Sequence, residues 1–515
     1  MFQSKPFIFA FSTFALCYGT SAHAEITAEE VWAEWQSMTQ AMGQEVTAAN
    51  VRETGNGLLV SEFTTTTNQQ GAISTGSIDE VTITENGDGT VTVTFSDEYT
   101  ITSSSEVQMG GGSAPKGGGA GSNGRLSQMI EVGLSISGLS TASLVVSGEP
   151  QDRLYAYDAP SLTLELTQIE GPSDAAEDIS MSVTFAENTA EYRLIGDGNT
   201  PSEMAFSGNT GAMTGIVSAI ENGMNISANF NLQQLSNEGE IDLASYASFL
   251  QMGFADAGEN LAMRMQGGYA SAGFQMRIIE GGTTMVLGGS NQGGTLNMAL
   301  ADGGMQLGQS SQNPSFQASG SGIPAPIAVS ATSSELSLLI PVEAMPEPSD
   351  MAFRIDYQDL TLGDDLWNLF DPGNNIPRDP ANFTLDLTGQ VQMFQSLLNL
   401  DPDTIQSAPG ELRSAQLNEL AVSAAGVELG GTGQLSFAPG QIVPMPVGQI
   451  DLTATGLFAL LDRLTAAGFL PAEQAAMARG VSAMFARPGA GPDTLESTIE
   501  FTPNGGITAN GFPLQ

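Results

Sequence analysis

From residue 44 onward the chain alternates apolar and polar positions with a period of two, the pattern of half-buried β-strands. In "EVTITENGDGTVTVTF", Val81 and Ile83, then Val91, Val93 and Phe95, share one face, with threonines on the other. The intervening "NGDG" supplies residues that tolerate positive φ, so it predicts a hairpin turn. The same grammar recurs along the chain. "SLTLELTQI" groups Leu162, Leu164 and Leu166, and "MAFRIDYQDLTL" groups Phe353, Ile355 and Tyr357. "NELAVSAAGVELGGTGQLSF" and the closing "STIEFTPNGGITANGFPL" read as further hairpins. Such strands at close spacing, each with one apolar face, predict antiparallel sheet rather than βαβ units.

A helical period appears in a few places. Thr27 with Glu30 forms a capping box, in which each side chain satisfies the other residue's orphan amide. Val31, Trp35, Met38 and Met42 then recur at helical spacing, predicting a helix within 25–43 that closes the end of a sheet. Its polar face carries no Lys or Arg for a membrane surface. "DLASYASFLQMGFA" (242–255) predicts a short helix. Near the C-terminus, Leu457, Leu460, Leu461 and Leu464 form one stripe, and Pro471 opens "PAEQAAMARGVSAMFA" at a natural first helical position. Together they predict a helix pair over 457–485 whose apolar residues are core. Residues 109–124 hold eight glycines and read as a flexible surface loop, and residues 266–322 as weak, glycine-interrupted strands. Neither stretch has the GK[ST] ending of a phosphate loop. The expected fold is mainly β: an elongated, curved antiparallel sheet with a few short amphipathic helices at its ends. One unit spans 25–515, with a helix at 25–43, a β-rich part at 44–335 and the best-defined β region at 336–515.

The first 24 residues change what chemistry is available. Lys5 gives a short positive start, Phe7 to Leu16 an apolar stretch too short to span a bilayer, and Ala22-His23-Ala24 a small-x-small cleavage pattern. Lipoprotein processing at Cys17 is opposed by the bulky Leu16 before it. Cleavage after Ala24 and export to the periplasm are therefore expected. The only cysteine, Cys17, and the only histidine, His23, would leave with this leader. Ser-His-Asp and Cys-His catalysis, and ordinary zinc, haem and copper sites, are then excluded.

Charge narrows the partners. The chain has 14 basic and 57 acidic residues, a formal net charge of −43, and loses Lys5 from the basic side on cleavage. Nucleic acid is excluded, because phosphate contacts need clustered Lys and Arg. The acidity reads either as solubility in a salty medium or as Ca²⁺-binding loops. Asn86 and Asp88 in the "NGDG" turn lack the full calcium-loop pattern. Asp364, Asp365, Asp371, Asn374 and Asp379 could surround a hard cation, or could cap the turns of "GDDLWNLFDPGNNIPRDPANFTLDLTGQ" while Arg378 pairs with a neighbouring carboxylate or caps carbonyls. A glycoside hydrolase built on paired carboxylates is a third class, but sugar clefts want aromatic platforms and only Trp32, Trp35 and Trp367 are present. A dyad using Lys116 would place it in the glycine loop, where nothing desolvates it. No catalytic, cofactor-binding or metal-ligating residue is assigned.

Several stretches resemble a known family. "AEEVWAEWQ", "LWNLFDPGNNIPRDPANFTLDLTG", "APGELRSAQLNELAVSAAGVELGGTGQLSF" and the ending from Gly468 to Leu514 are similar to the exported bacterial family termed domain of unknown function 2125. The resemblance runs nearly end to end and is strongest from about 336 onward; it implies no activity and no catalytic residues. The ending "LESTIEFTPNGGITANGFPL" also looks like the terminal hairpin of AsmA-like envelope proteins, which implies a long β-rich periplasmic protein concerned with lipid. The cleavable leader departs from the membrane anchor those proteins keep. The function expected is a non-enzymatic envelope protein holding lipid or a partner segment on an apolar sheet face.

Overall fold

A computed structural model describes residues 26–41, 44–69, 72–108, 127–171, 178–196, 201–221, 223–243, 245, 262–398, 408–440 and 444–514. The expected leader, the glycine loop at 109–124 and most of the expected helix at 242–255 lie outside these residues. The chain is mostly β, and its strand pairings are antiparallel among the described residues. By contact it groups into two compact units: Met1–Gly253, Gly267–Ala270 and Phe274–Thr284 in one, Phe254–Gln266, Ser271–Gly273 and Met285–Gln515 in the other.

The first unit contains β1 (Gln44–Thr54), β2 (Gly57–Gln69), β3 (Ala72–Glu85), β4 (Val91–Phe95), β5 (Glu98–Gln108) and β6 (Ser127–Ser137). It continues with β7 (Ser143–Glu149), β8 (Asp152–Glu170), β9 (Asp178–Gly196), β10 (Pro201–Glu221) and β11 (Met224–Asp242). β1 pairs with β2 and β2 with β3. The two ends of β3 then pair separately, with β5 through Ile73–Ile78 and with β4 through Val81–Glu85. β5 leads to β6 and β4 to β7, and both routes rejoin on β8, followed by β9, β10 and β11.

A break recurs at one level across these strands. Glu62 has φ 51°, and it stands unpaired opposite Asp79, although Ser61↔Glu80 and Phe63↔Ile78 on either side keep one register. Glu187 (φ 55°) and Gln234 (φ 51°) do the same, both level with Gly211. Each left-handed residue reverses the facing of the strand beyond it. Apolar positions therefore change parity without changing face, as in Leu58 and Val60 followed by Phe63; on β8 Tyr157 and Ala159 likewise give way to Leu162 across Pro160, which faces Glu187. A left-handed non-glycine residue costs roughly 1–3 kcal/mol, so the level must be held by other bonds. The buried Asn188 supplies several of them: its amide donates to Ala159 O (3.2 Å) and Phe185 O (2.9 Å), and its carbonyl accepts from Thr210 Oγ1 (2.9 Å).

Helix α1 (Ala28–Ala41) lies on the face of this sheet. The capping box forms, with Glu30 N donating to Thr27 Oγ1 (3.2 Å) and Thr27 N to Glu30 Oε2 (3.3 Å). Val31 and Trp32 pack into a cluster with Val60, Val81, Ile83, Val91, Val93 and Val146, six side chains that are fully buried. Trp32 meets Phe63 edge-on at 5.7 Å between centroids, and Trp35 stacks on Phe95 at 6.5 Å. Arg153, 2% exposed, donates to Glu34 Oε2 (3.1 Å) and to Gly148 O (2.6 Å), so the helix is tied to β8 by an enclosed ion pair. Burial, with the Glu34 charge adding to it, pushes the Tyr155 hydroxyl far above its usual pKa. The helix packs mainly over β1 to β3, where the pairing order begins, on a face of aliphatic side chains with Phe63 and Phe95 among them.

The chain continues through β12 (Met263–Tyr269), β13 (Ser271–Glu280), β14 (Thr283–Asn291), β15 (Gly294–Ala301), β16 (Gly304–Gln312) and β17 (Ser315–Gly320). These strands of the glycine-rich stretch are formed, but short. In the second unit β18 (Ile327–Ser330) and β19 (Ser333–Pro341) both pair with β20 (Ser349–Leu362). β21 (Ala381–Met393), β22 (Gly410–Ala424), β23 (Val427–Phe437) and β24 (Pro446–Thr455) follow in pairing order. β26 (Thr494–Phe501) pairs with β24, with the short β25 (Arg487–Pro488), and with a closing hairpin of β27 (Ile507–Ala509) and β28 (Phe512–Pro513). A break like that of the first unit occurs here, with Asn313 (φ 47°) and Asp359 (φ 51°) joined through Thr332, whose hydroxyl donates to Asp359 Oδ2 (3.0 Å).

Among the described residues three helices complete the second unit: α2 (Asp364–Phe370), α3 (Leu457–Ala466) and α4 (Ala472–Phe485). The expected pair at 457–485 is present, but its apolar residues are not core. α3 buries none of its residues fully and α4 buries only Ala475. Helical spacing produces an apolar stripe, and no described element packs over that of α4.

Truncating Trp32→Ala is expected to lower unfolding free energy by about 3–5 kcal/mol in urea titration. A loss below about 1 kcal/mol would show that α1 is not part of the cooperative core.

Candidate functional site: an open apolar face and an arginine corner

The sheet of the second unit has two unlike faces. On one, cross-strand register lines up Met298↔Leu307, Leu307↔Leu338, Leu338↔Phe353, Phe353↔Leu387 and Leu387↔Leu417. Past Gly433 the row resumes with Ile450↔Ile499. A parallel row runs Leu336↔Ile355, Ile355↔Leu385 and Leu385↔Leu420. At a strand spacing of about 4.8 Å, the eight steps from Met298 to Ile499 make a strip of roughly 38 Å.

These side chains are only half-buried, and Leu336 is 42% exposed. Lateral neighbours on the same face shield each of them partly, but no opposing layer of described residues closes over them. The large aliphatic cluster of fully buried residues belongs to the first unit instead. The expected grouping of Phe353, Ile355 and Tyr357 on one face holds, with Tyr357 38% exposed.

The opposite face is polar and internally satisfied. Arg354 donates to Asp386 Oδ2 (2.9 Å) and Asp356 Oδ2 (3.2 Å). Asp356, itself buried, also accepts from Thr384 Oγ1 (2.8 Å) and Gln358 Nε2 (2.8 Å), and Asp386 accepts from Asn418 Nδ2 (2.7 Å). The hydrogen bond to Asp386 holds the Arg354 guanidinium above its ordinary pKa. Two carboxylates stand close here, yet their oxygens are occupied by Arg354, Thr384, Gln358 and Asn418, which leaves no free acid–base pair in this set.

The corner between β20 and β21 is the densest polar structure of the unit. α2 begins with Asp364 and Asp365 in its first turn, where the helix dipole favours them. Asp371 ends it and is almost wholly enclosed at 1% exposure. Its carboxylate accepts from Ile376 N (2.9 Å), Asn375 N (3.1 Å) and Asn375 Nδ2 (3.0 Å). The bond from Ile376 N is the main reason its pKa lies below the ordinary 3.8. Arg378 lies over the Trp367 ring at 5.6 Å and donates to Asp364 Oδ1 (3.2 Å), Asn368 Oδ1 (3.0 Å) and Asp371 O (3.0 Å). Beside it, an open depression of about 800 Å³ is lined by Asp364, Asn368, Asn374, Arg378, Asp379 and Arg463.

Two of the carboxylates weighed as cation ligands are thus already engaged: Asp371 caps amides and Asp364 meets Arg378. Among the described residues no group of three or more His, Cys, Asp or Glu side chains could hold a metal ion. Asn86 and Asp88 form the turn itself, Asp88 Oδ1 accepting from Thr90 N (3.1 Å). The apolar sheet face was expected from alternation, which does not report whether anything covers it.

Asp371 gives a pH prediction. Its folded pKa is depressed, so its stabilisation is fully present above its unfolded value near 3.8 and is lost as pH falls below that. Acid unfolding of Asp371→Asn is therefore expected to be less steep than wild type below pH 3.8, with lower stability near neutrality. Superimposable acid limbs for the two proteins would contradict this.

Among the described residues no helix is long and apolar enough to cross a membrane. No curated protein matches the chain. The resemblance read from the sequence is found over the C-terminal stretch that includes the corner and the apolar rows, and not as far as the N-terminal "AEEVWAEWQ": residues 269–515 match the family described as "Uncharacterized protein conserved in bacteria (DUF2125)".

Proposed function

We propose that this is an exported, non-enzymatic protein of the cell envelope that holds an apolar chain, such as the acyl chain of a lipid, on the open face of its C-terminal sheet. One observation carries the reading: the register-matched rows through Leu338, Phe353, Leu387 and Leu417, half-buried and uncovered by any described layer. Leaving such rows in water forfeits on the order of 1 kcal/mol or more per side chain, which a bound apolar chain would recover. The strip of roughly 38 Å exceeds the ~15 Å depth of one leaflet's hydrocarbon, so a whole chain fits along it. The leader-like start and the AsmA-like ending agree with a periplasmic place and a role concerned with lipid.

Gentle extraction of the native protein followed by mass spectrometry is expected to recover co-purifying lipid. Phe353→Asp with Leu387→Asp should reduce that recovery about tenfold or more, given the apolar area each side chain contributes. Native protein that carries no lipid and displaces no fluorescent fatty acid would refute the reading.

A further inference from the structure

The α3–α4 hairpin presents a second apolar surface, separate from the sheet rows. Met477, Val481, Met484 and Phe485 of α4 are 68%, 45%, 52% and 37% exposed. Their spacing of four, three and one residues sets them on one side of the helix. Phe469, in the connection from α3, is 48% exposed. The C-terminal hairpin is bonded to the end of this stripe, with Asn510 Nδ2 donating to Phe485 O (3.1 Å), and adds Phe512 at 49% exposure. Contiguous exposed apolar residues of this kind mark an interaction surface. The hairpin is well anchored, since Asp493 accepts from Phe458 N (3.1 Å) and Ala459 N (2.8 Å) at the start of α3, and Arg479 lies over Phe458 at 5.4 Å.

We propose that this hairpin rests on the surface of a zwitterionic lipid bilayer, with α4 lying in the interface. Charge selects the occupant. Within 457–485, Asp462 and Glu473 are balanced by Arg463 and Arg479, so the hairpin is neutral in a chain of net charge −43. A second copy would bring another strongly negative body against the first, whereas a zwitterionic surface brings no net charge. Apart from Glu473 and Arg479, the rest of α4 is small or weakly polar (Ala472, Gln474, Gly480, Ser482), so a single basic residue offers anionic headgroups little attraction and shallow insertion into packing defects is favoured. Two of the four stripe residues are methionines, whose flexible thioethers adapt to disordered chains. The surface is independent of whatever the sheet face holds.

The test is flotation of the full chain with small, highly curved phosphatidylcholine vesicles. Wild type is expected to float, more with small vesicles than with large ones. Met477→Asp with Met484→Asp should lower the floated fraction about tenfold or more, because each loses an apolar contact. Both positions are exposed, so thermal unfolding of the variant should match wild type. The gentler pair Met477→Gln with Met484→Gln should still weaken flotation several-fold. Wild type that stays with the buffer, or folded variants that float as well as wild type, would overturn the proposal. So would a wild-type dimer in sedimentation velocity that the Asp pair dissociates while neither protein floats, since the hairpin would then be a self-association surface.

Discussion

In an antiparallel sheet the side chains alternate faces, so a single residue that breaks the pleat reverses every side chain beyond it. A strand can tolerate such a break only if its neighbours break at the same level. The first unit meets this constraint with Glu62 beside Asp79, and with Glu187, Gly211 and Gln234 in line. The second meets it with Asn313, Thr332 and Asp359. The buried amide of Asn188 and the hydroxyl of Thr332 take over backbone bonding there. Long strands are thereby divided while one face stays apolar on both sides of the break, and both the covered core and the open rows depend on that continuity.

What differs between the units is what lies over that face. In the first, α1 lowers Val31 and Trp32 onto valines and Ile83, and an enclosed Arg153–Glu34 pair fixes its position. In the second, the helices lie at a corner and in a hairpin, and the leucine rows stay half-buried. Arginine is scarce in so acidic a chain, and several of its arginines are structural: Arg153 under the helix, Arg354 on the polar face, Arg378 in the corner. The "NNIPRDP" turn is an example of polar density that builds a bend, because the Asp371 carboxylate is consumed by Asn375 and Ile376.

Much of this was legible because it is local. The capping box of Thr27 and Glu30, the "NGDG" turn, and the helix-turn-strand order of residues 364–393 all follow from bonds within a few residues. The level of breaks was harder, since three of its left-handed residues are Glu62, Glu187 and Gln234, types with no preference for positive φ. Its trace was nonetheless present: Leu58 and Val60 give way to Phe63, and Phe353 and Ile355 to Leu360 and Leu362, each a shift of parity. The Arg153–Glu34 pair spans 119 residues and leaves no sequence signal. The stripe of Met477, Val481, Met484 and Phe485 was legible as a stripe, but helical spacing is the same whether a helix faces a core, a membrane or water.

The central claim is that the leucine rows of the C-terminal sheet are open and take an apolar chain. In a chain lacking Cys17, maleimide labelling of a single thiol introduced by Leu385→Cys, compared with one introduced by Ile83→Cys, tests it most directly. The thiol at position 385 should react in the folded protein, more slowly than a free thiol, and slow further when a fatty acid is added, while the thiol at position 83 should stay protected until the protein unfolds. Equal protection at both positions in the ligand-free protein would contradict the account.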